Sequence, residues 1–361
     1  MNSVFIGGIQ QVGIGVANLK EAWAWYRKNF GVDVRIFEDE AKADLMKNYT
    51  GGEVRSRRAA LALNLQGGGG FEIWQYTDRV PQAPAIEAQL GELGIFAVKI
   101  KSQDVPGTYR EFKAKGLNII GSLKKDLSGK DTFFVKDPYN NIFQIICSSN
   151  VWFRNEKKFT GATYGAIIGT SNMAKAIRFY STVLGYDEVV YDKTGTFDDF
   201  RNLPGGDHSM RRVLLFHSKE RIGIFKKMFG ASYIELVSSV EKKKSSKKIF
   251  KDRYWGDLGF IHLCFDIRGM GNLKTMCEKE GFPFTVDSMA QHDPTGFDMG
   301  EANGHFAYVE DPDGTLIEFV EALRIPIIKK LGWYINLKKR DPRKSLPNWL
   351  LKTLRFNRFK G

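Results

Sequence analysis

Hydrophobic and polar positions along this chain repeat one order four times: an apolar strand-like run, an amphipathic helix-like run, and further strand-like runs. The opening runs are residues 9–16, 95–100, 165–170 and 260–267, whose apolar residues cluster as in buried strands. The helix-like runs begin near residues 19, 105, 173 and 273, and each ends at a glycine, which is a common helix stop. The pattern predicts four βαβββ modules in an α+β chain.

The end of the second half of the chain repeats a phrase from the end of the first half. Residues 311–318 read Asp-Pro-Asp-Gly-Thr-Leu-Ile-Glu, and residues 137–144 read Asp-Pro-Tyr-Asn-Asn-Ile-Phe-Gln. The helices near 19 and 173 repeat in the same register, so we predict two tandem halves. We place these halves at residues 1–152 and 160–323, each with two modules, followed by a tail at 324–361.

These residues resemble the vicinal oxygen chelate superfamily, which includes glyoxalase I, bleomycin-resistance proteins, methylmalonyl-CoA epimerase and extradiol dioxygenases. The resemblance rests on a helix that ends in Phe/Tyr-x-x-x-Leu-Gly and on a closing Asp-Pro-Asp-Gly-x-x-Ile-Glu, and it spans about residues 6–323. It implies that the modules pair into two curved half-barrel sheets. It leaves the function open, because one fold hosts several chemistries.

The resemblance also implies candidate metal ligands, at most one from the first strand and one from the last strand of each module. The candidates are Gln11 and Glu72 in module one, Ile95 and Gln144 in module two, Gly165 and Glu235 in module three, and His262 and Glu318 in module four. Isoleucine and glycine have no side-chain donor atom for a metal. The pairing of the modules therefore decides which ligands meet.

Two pairings of the modules are open. Pairing of neighbours would bring Glu235, His262 and Glu318 together within the second half. Pairing of module one with module four, as in the single-chain, four-module glyoxalases, would unite Gln11 and Glu72 with the ligands of module four. The candidates of modules two and three would then form a degenerate second site. We favour the crossed pairing because it collects the competent ligands in one place.

The crossed set of one imidazole and three oxygen donors suits a divalent ion with open coordination places, such as Zn²⁺, Ni²⁺, Mn²⁺, Co²⁺ or Fe²⁺. The resemblance implies stabilisation of an enolate or enediolate of a substrate with two adjacent oxygens, with Glu318 and Glu72 as catalytic residues. Isomerases, lyases and epimerases all use this step. Strand alternation and a glycine-rich segment, 294–304, interpreted as a lid, predict a substrate pocket that includes Gly13, Gly15, Trp74, Tyr76, Cys264 and His305.

Two other functions fit the same residues. A metal-free binding protein, like the bleomycin-resistance proteins, would use the ligand positions only as pocket lining. An Fe²⁺ dioxygenase of the extradiol type would use two histidines and one carboxylate, whereas His262 is the one histidine at a candidate ligand position. Metal analysis of the purified protein separates these hypotheses from a glyoxalase-like enzyme.

Composition fits a folded protein whose body is nearly neutral. The 361 residues are 43% hydrophobic, enough to bury a large core. Cys147, Cys264 and Cys277 are an odd number without paired spacing, which predicts reduced thiols and a cytoplasmic location. No run approaches the roughly 20 apolar residues of a membrane span. We expect the arginine pairs at 57–58 and 211–212 to be solvated charges at strand edges.

The tail is strongly basic. Residues 324–361 hold 12 Lys or Arg and one acid, Asp341, and so contribute +11 of the formal net charge of +13. Aromatic and aliphatic residues are interleaved with these charges, and Pro347 is well placed to start a last helix. Such a tail either docks on the body or binds an anionic membrane surface or an acidic partner, in preference to nucleic acid. We favour docking with the charges toward water, in a monomer or a homodimer.

Overall fold

The structure is a computed structural model and describes residues 3–85, 87–149, 153–154, 156–240, 247–291, 297–298, 303–328 and 332–359. The strands in these ranges are β1 Phe5–Gly15, β2 Val34–Lys42, β3 Ser56–Asn64, β4 Gly68–Tyr76, β5 Gly94–Ser102, β6 Asn118–Lys125, β7 Asp131–Lys136, β8 Ile142–Cys147, β9 Thr163–Gly169, β10 Glu188–Gly195, β11 Met210–Phe216, β12 Tyr233–Ser239, β13 Gly259–Arg268, β14 Val286–Asp287, β15 Phe297–Asp298, β16 Asn303–Glu310, β17 Leu316–Ile328 and β18 Trp333–Asn336.

The helices are α1 Leu19–Phe30, α2 Val105–Ala114, α3 Met173–Thr182, α4 Met270–Glu280, α5 Ser288–Gln291 and α6 Asn348–Lys352. Short 3₁₀ helices cover Asp44–Tyr49 and Thr353–Asn357. Helices α1 and α3 begin in the same way, because the side chains of Asn18 and Asn172 accept hydrogen bonds from backbone N–H groups of the first turn. Such a cap stabilises a helix by about 1 kcal/mol. The helices of modules one and three thus share a start signal as well as an apolar face.

The strands form two sheets, and each sheet takes one module from each half of the chain. One sheet has the order β14-β16-β17-β13-β1-β4-β3-β2, with β15 on β16 and β18 on β17. The other sheet has the order β10-β11-β12-β9-β5-β8-β7-β6. The antiparallel pairs β1–β13 and β5–β9 join the modules at the centre of each sheet. The four predicted modules and their crossed pairing are therefore confirmed.

The repeated Asp-Pro phrase has a structural role that links the two sheets. Asp311 accepts backbone hydrogen bonds from Asp313 and Thr315, and the hydroxyl of Tyr180 on α3 donates to it across 3.0 Å. Asp137 holds its own turn in the same way and accepts from the hydroxyl of Tyr26 on α1 across 2.6 Å. These buried bonds connect a helix of one sheet to a turn of the other. The Asp-Pro phrase therefore occurs twice because each copy joins its own sheet to a helix of the other sheet.

The tail docks on the sheet of modules one and four. Its first residues continue β17, and β18 pairs with that strand. Leu346, Leu350, Leu351 and Leu354 are buried in one apolar cluster with side chains from the segment between β11 and β12. Pro347 precedes α6, as predicted. Within the described part of the chain, no helix is long and apolar enough to span a membrane.

Candidate metal centre and substrate cavity

The predicted ligands of modules one and four lie on four adjacent strands, β4, β1, β13 and β17. Gly13 of β1 is paired with Glu72 on one side and with His262 on the other. The imidazole of His262 covers Gly13 so closely that an added Cβ would lie 2.4 Å from its Cε1 atom. Glycine is therefore needed at this position, because any side chain would displace the histidine ring.

The crossed pairing brings the four predicted side chains of the one–four site (Gln11, Glu72, His262 and Glu318) together. One ligand atom each from Glu72, His262 and Glu318 falls within 4.8 Å of the others. His262 Nε2 lies 3.0 Å from Glu318 Oε2 and 3.3 Å from Glu72 Oε2. The amide nitrogen of Gln11 lies 3.5 Å from the same Glu318 oxygen. Neighbour pairing, the alternative from sequence, is wrong, because Glu235 belongs to the other sheet.

The donor set of the one–four site fits a divalent cation. Gln11 Oε1 and His262 Nε2 are buried without a hydrogen-bond partner, although two carboxylate oxygens are close to Nε2. The nitrogen and the carboxylates are therefore near each other without the geometry of a hydrogen bond. A cation bound between them would satisfy these atoms, and one imidazole with several oxygen donors suits the transition metals named above.

Charge also favours a cation in this site. Burial lowers the pKa of His262, but the carboxylates of Glu318 and Glu72 outweigh that effect and raise the pKa to about 9. Two negative groups thus stabilise a positive charge at this place, whether a proton on the imidazole or a metal ion. Metal binding requires neutral imidazole, so an arriving ion displaces that proton.

The ligands open into a cavity with a volume of about 190 Å³. Gln11, Glu72 and Glu318 lie in its wall, together with Trp74, which was predicted to be pocket lining. Gln10 also contributes, because a β-bulge near Ile9 places both glutamines in the wall. Regular strand alternation would place Gln10 on the face opposite Gln11, so its position in the cavity wall could not be predicted from the sequence.

Other predicted pocket residues do not line this cavity. Gly15 lies against the backbone of Asp257, where an added Cβ would be 1.9 Å from the carbonyl oxygen. The hydroxyl of Tyr76 donates a hydrogen bond to the carbonyl of Trp255. Both predictions are corrected: strand alternation gives the face of a residue, but the segment around 255 covers these positions. Most of the predicted lid, 294–304, lies outside the described residues.

Cys264, His305 and Gly13 are also absent from the cavity wall, for different reasons. Gly13 is covered by the His262 ring. The Cys264 thiol lies 3.7 Å from Gln10 Oε1, and its burial, reinforced by the charge of Glu318, raises its pKa well above the ordinary value. His305 is buried in β16, and burial lowers its pKa. Gly13 and Cys264 therefore pack against side chains of the site, His262 and Gln10, without lining the cavity. The prediction that Gly13, Cys264 and His305 line the substrate pocket is corrected.

Comparison with known proteins agrees with this geometry. Residues 8–145 match the model of the Glyoxalase/Bleomycin resistance protein/Dioxygenase superfamily. A glyoxalase I mutant from Zea mays has a TM-score of 0.53 at 14% identity, over 87% of this chain and 93% of that chain. A putative dioxygenase from Bacillus subtilis has a TM-score of 0.55 at 11% identity, over 88% of this chain and 86% of that one. This chain is therefore similar to the vicinal oxygen chelate proteins, in sequence over residues 8–145 and in fold over most of its length. A search of the curated proteins gave no significant match.

The second sheet holds the counterpart site, the two–three site (Ala97, Lys99, Gln144, Gly165 and Glu235). Register identifies the counterparts: Ala97 pairs with Ile167 as His262 pairs with Gly13, and Lys99 pairs with Gln144 as Cys264 pairs with Glu318. The prediction of Ile95 as the counterpart is corrected to Ala97. Ala97 and His262 are each the fourth residue of their strands, and a bulge at the same place in both sheets leaves this equivalence intact.

The two–three site contains the Lys99 ammonium group between its polar residues. Lys99 Nζ donates to Gln144 Oε1 and, across 2.7 Å, to Glu235 Oε2. These partners are the counterparts of Glu318 and Glu72. Lys99 was not predicted from the sequence, and the available signal was a lysine that directly follows the apolar run 95–98 of β5. The predicted degenerate site is therefore a closed ion-pair cluster.

Arg212 completes this cluster and corrects another expectation. Its side chain is fully buried, with two hydrogen bonds to Asp199 and a 2.8 Å bond from Nε to Glu235. The hydroxyl of Tyr191 donates to the same Glu235 oxygen across 2.8 Å. Burial raises the pKa of Glu235, but Arg212 and Lys99 outweigh it and hold the pKa at about 2. Arg212 is thus an internal charge and not a solvated one.

Proposed function

We propose that this chain is a divalent-metal-dependent enzyme of the glyoxalase type, an isomerase, lyase or epimerase, with one active site between modules one and four. The observation that carries the proposal is the convergence of Glu72, His262 and Glu318, whose ligand atoms lie within 4.8 Å of one another beside a cavity that both carboxylates line. The fold itself is shared with several activities, so the proposal rests on this site.

Gln11, Glu72, His262 and Glu318 would hold the ion. When bound, it would act as a Lewis acid toward two adjacent oxygens of a substrate and favour loss of a proton from the neighbouring carbon. The carboxylates of Glu72 and Glu318 lie 3.3 Å and 3.0 Å from the imidazole nitrogen. Either group is placed to accept that proton and return it to the same or the adjacent carbon.

The chain's own residues also prepare the site for this proton transfer. Both carboxylates are largely withdrawn from water, with side-chain exposures of 13% for Glu72 and 8% for Glu318. Apolar side chains of the cavity exclude water from the reacting carbon, and Trp74 forms part of that wall.

The set of ligands favours this chemistry over that of an Fe²⁺ extradiol dioxygenase. Dioxygenases with the facial triad use two histidines and one carboxylate, whereas the one–four site has one histidine, two carboxylates and an amide. A metal-free binding protein is the remaining alternative, and it makes a different prediction for metal analysis.

Metal titration of three variants tests the proposal. We expect Glu72→Ala and His262→Ala each to lower metal affinity at least as much as the roughly 10- to 100-fold typical of removing an outer-shell partner. Glu235→Ala, in the other sheet, is the matched control and leaves the affinity unchanged. Loss of metal in Glu235→Ala with retention in Glu72→Ala contradicts the assignment. Failure of the unsubstituted protein to bind any divalent ion favours the metal-free binding protein.

A further inference from the structure

The cavity beside the one–four site is apolar along most of its length. Along β17, Glu318 is followed on the same face by Val320 and Ala322, and all three line the cavity. Ala322 is four residues from Glu318, which corresponds to about 13 Å along an extended strand. The cavity therefore has a polar end at the ligands and an apolar wall that runs well beyond the reacting atoms.

Other elements continue this wall. Leu61 and Leu63 of β3 contribute to it, and Leu61 pairs directly with Glu72 in the sheet. Phe225 and Phe229 also line the cavity, and they come from the segment between β11 and β12, two strands of the other sheet. The docked tail adds Leu354. Apolar side chains from four separate parts of the chain thus face one space, where contact with water is unfavourable and an apolar ligand is favoured.

A small polar substrate would make no contact with most of this apolar wall. A short diketone would reach the ligands but not the region near Ala322, and a strongly anionic substituent would need cationic partners there. The cavity wall includes two cations: Arg57, which is already paired with Asp39, and Lys42, which is exposed to water. The lining instead matches a molecule with a polar head and an apolar body.

We propose that the substrate of this site carries a long apolar substituent on its pair of adjacent oxygens, and that β17, β3 and the docked tail bind that substituent. This inference rests on the proposed function for the position of the oxygens. The substituent lies along Val320 and Ala322 toward Leu354, so the basic tail is part of the substrate site.

The test uses n-alkyl hydroxamic acids of two to ten carbons, which present two adjacent oxygens and a chain of variable length. The full-length protein is saturated with the divalent ion that it binds, and affinity is measured by calorimetry. We expect affinity to rise about fourfold for each methylene that becomes buried, until the chain fills the cavity. Ala322→Phe should move that limit to shorter chains and leave acetohydroxamic acid unaffected. Leu63→Phe serves the same purpose if Ala322→Phe does not fold.

The control is Val189→Phe, which adds similar bulk at an exposed position of β10 in the other sheet. It should leave the whole chain-length series unchanged. Equal affinity for two- and ten-carbon hydroxamates in the metal-loaded protein overturns the inference while the metal site stands. Absence of metal binding overturns the proposed function and the inference together, so the two failures are distinguishable.

Discussion

The one–four site and the two–three site are built on corresponding strands of the two sheets in the same register, yet the central position of each site is filled differently. In the one–four site, Gly13 leaves room for the ring of His262. In the two–three site, Ile167 faces Ala97 at the corresponding positions. The large and the small residue have exchanged strands, so each sheet fills the space at its centre. Loss of the histidine is compensated by packing.

Charge shows the same contrast. Glu235 keeps its position in the two–three site, and a buried carboxylate without a cation would cost several kcal/mol. Lys99 supplies that cation from within the chain, and Arg212 adds a second one. The one–four site instead gathers two carboxylates around one imidazole. The two–three site is neutralised by the chain's own lysine and arginine, whereas the one–four site presents carboxylates that would bind an ion under the proposed function.

The largest expected effect is on stability when the internal cation is removed. Lys99→Met leaves Glu235 buried with one cation fewer, and we expect the free energy of unfolding to fall by about 3–5 kcal/mol. In the presence of a chelator, Glu72→Gln in the one–four site should cost less than about 1 kcal/mol, because it removes one of two adjacent like charges. Urea unfolding of both variants measures the contrast. A similar decrease in the free energy of unfolding of both variants would show that the two sites do not differ in how their buried charges are balanced.

The next effect concerns acid sensitivity. The pKa of Glu235 is about 2 in the folded protein and ordinarily 4.5. Since the folded pKa is the lower one, the ionised carboxylate stabilises the fold above about pH 4.5, and this contribution of about 3 kcal/mol is lost as the pH falls toward 2. Glu235→Gln should therefore destabilise the protein at pH 7, and the difference should shrink below pH 4.5. A difference that is constant from pH 7 to pH 2.5 argues against the ion-pair cluster.

Gly13 tests the packing half of the comparison. An added Cβ would lie 2.4 Å from His262 Cε1 and 2.7 Å from both ring nitrogens, so Gly13→Ala must move the imidazole. We expect a loss of about 1–3 kcal/mol in stability, with weaker metal binding. Gly271→Ala, at a helical glycine with no atom within 4 Å of an added Cβ, is the control and should not destabilise. Unchanged metal affinity in Gly13→Ala would mean that metal binding does not depend on the position of the His262 ring.

The smallest effect concerns the docked tail, which contributes Leu354 to the cavity of the one–four site. Trp349 and Phe356 are exposed to 62% and 58% on the tail surface, beside exposed Lys352 and Arg355. We propose that this surface binds anionic membranes, at about 1 kcal/mol per basic residue. Lys352→Ala should weaken binding to anionic liposomes roughly fivefold, more at low salt, while metal content stays the same. Equal binding by both proteins would mean that this lysine is only solvated. Deletion of the tail is not a clean test, because its leucines are buried in the body.

Much of the fold was predictable because its signals are local. Helix stops, the Asp-Pro turns and the repeat of both are encoded in short segments, and the crossed pairing followed from which modules kept their ligands. The position of Ala97 was obscured because its side chain has no ligand atom, so the strand register is what identifies it as the counterpart of His262. Lys99 and the tail's Leu354 act through contacts with residues distant in sequence. No periodicity reports such contacts.

In this account the one–four site binds a divalent ion, and the two–three site contains the ammonium group of Lys99 at the corresponding place. Anomalous diffraction from crystals grown with Zn²⁺ or Mn²⁺, recorded at the absorption edge of the metal, tests it most directly. We expect one peak per chain, bounded by Gln11, Glu72, His262 and Glu318, and no peak between Gln144 and Glu235. A peak in the two–three site, or no peak in the one–four site with the ion in excess, would contradict the account.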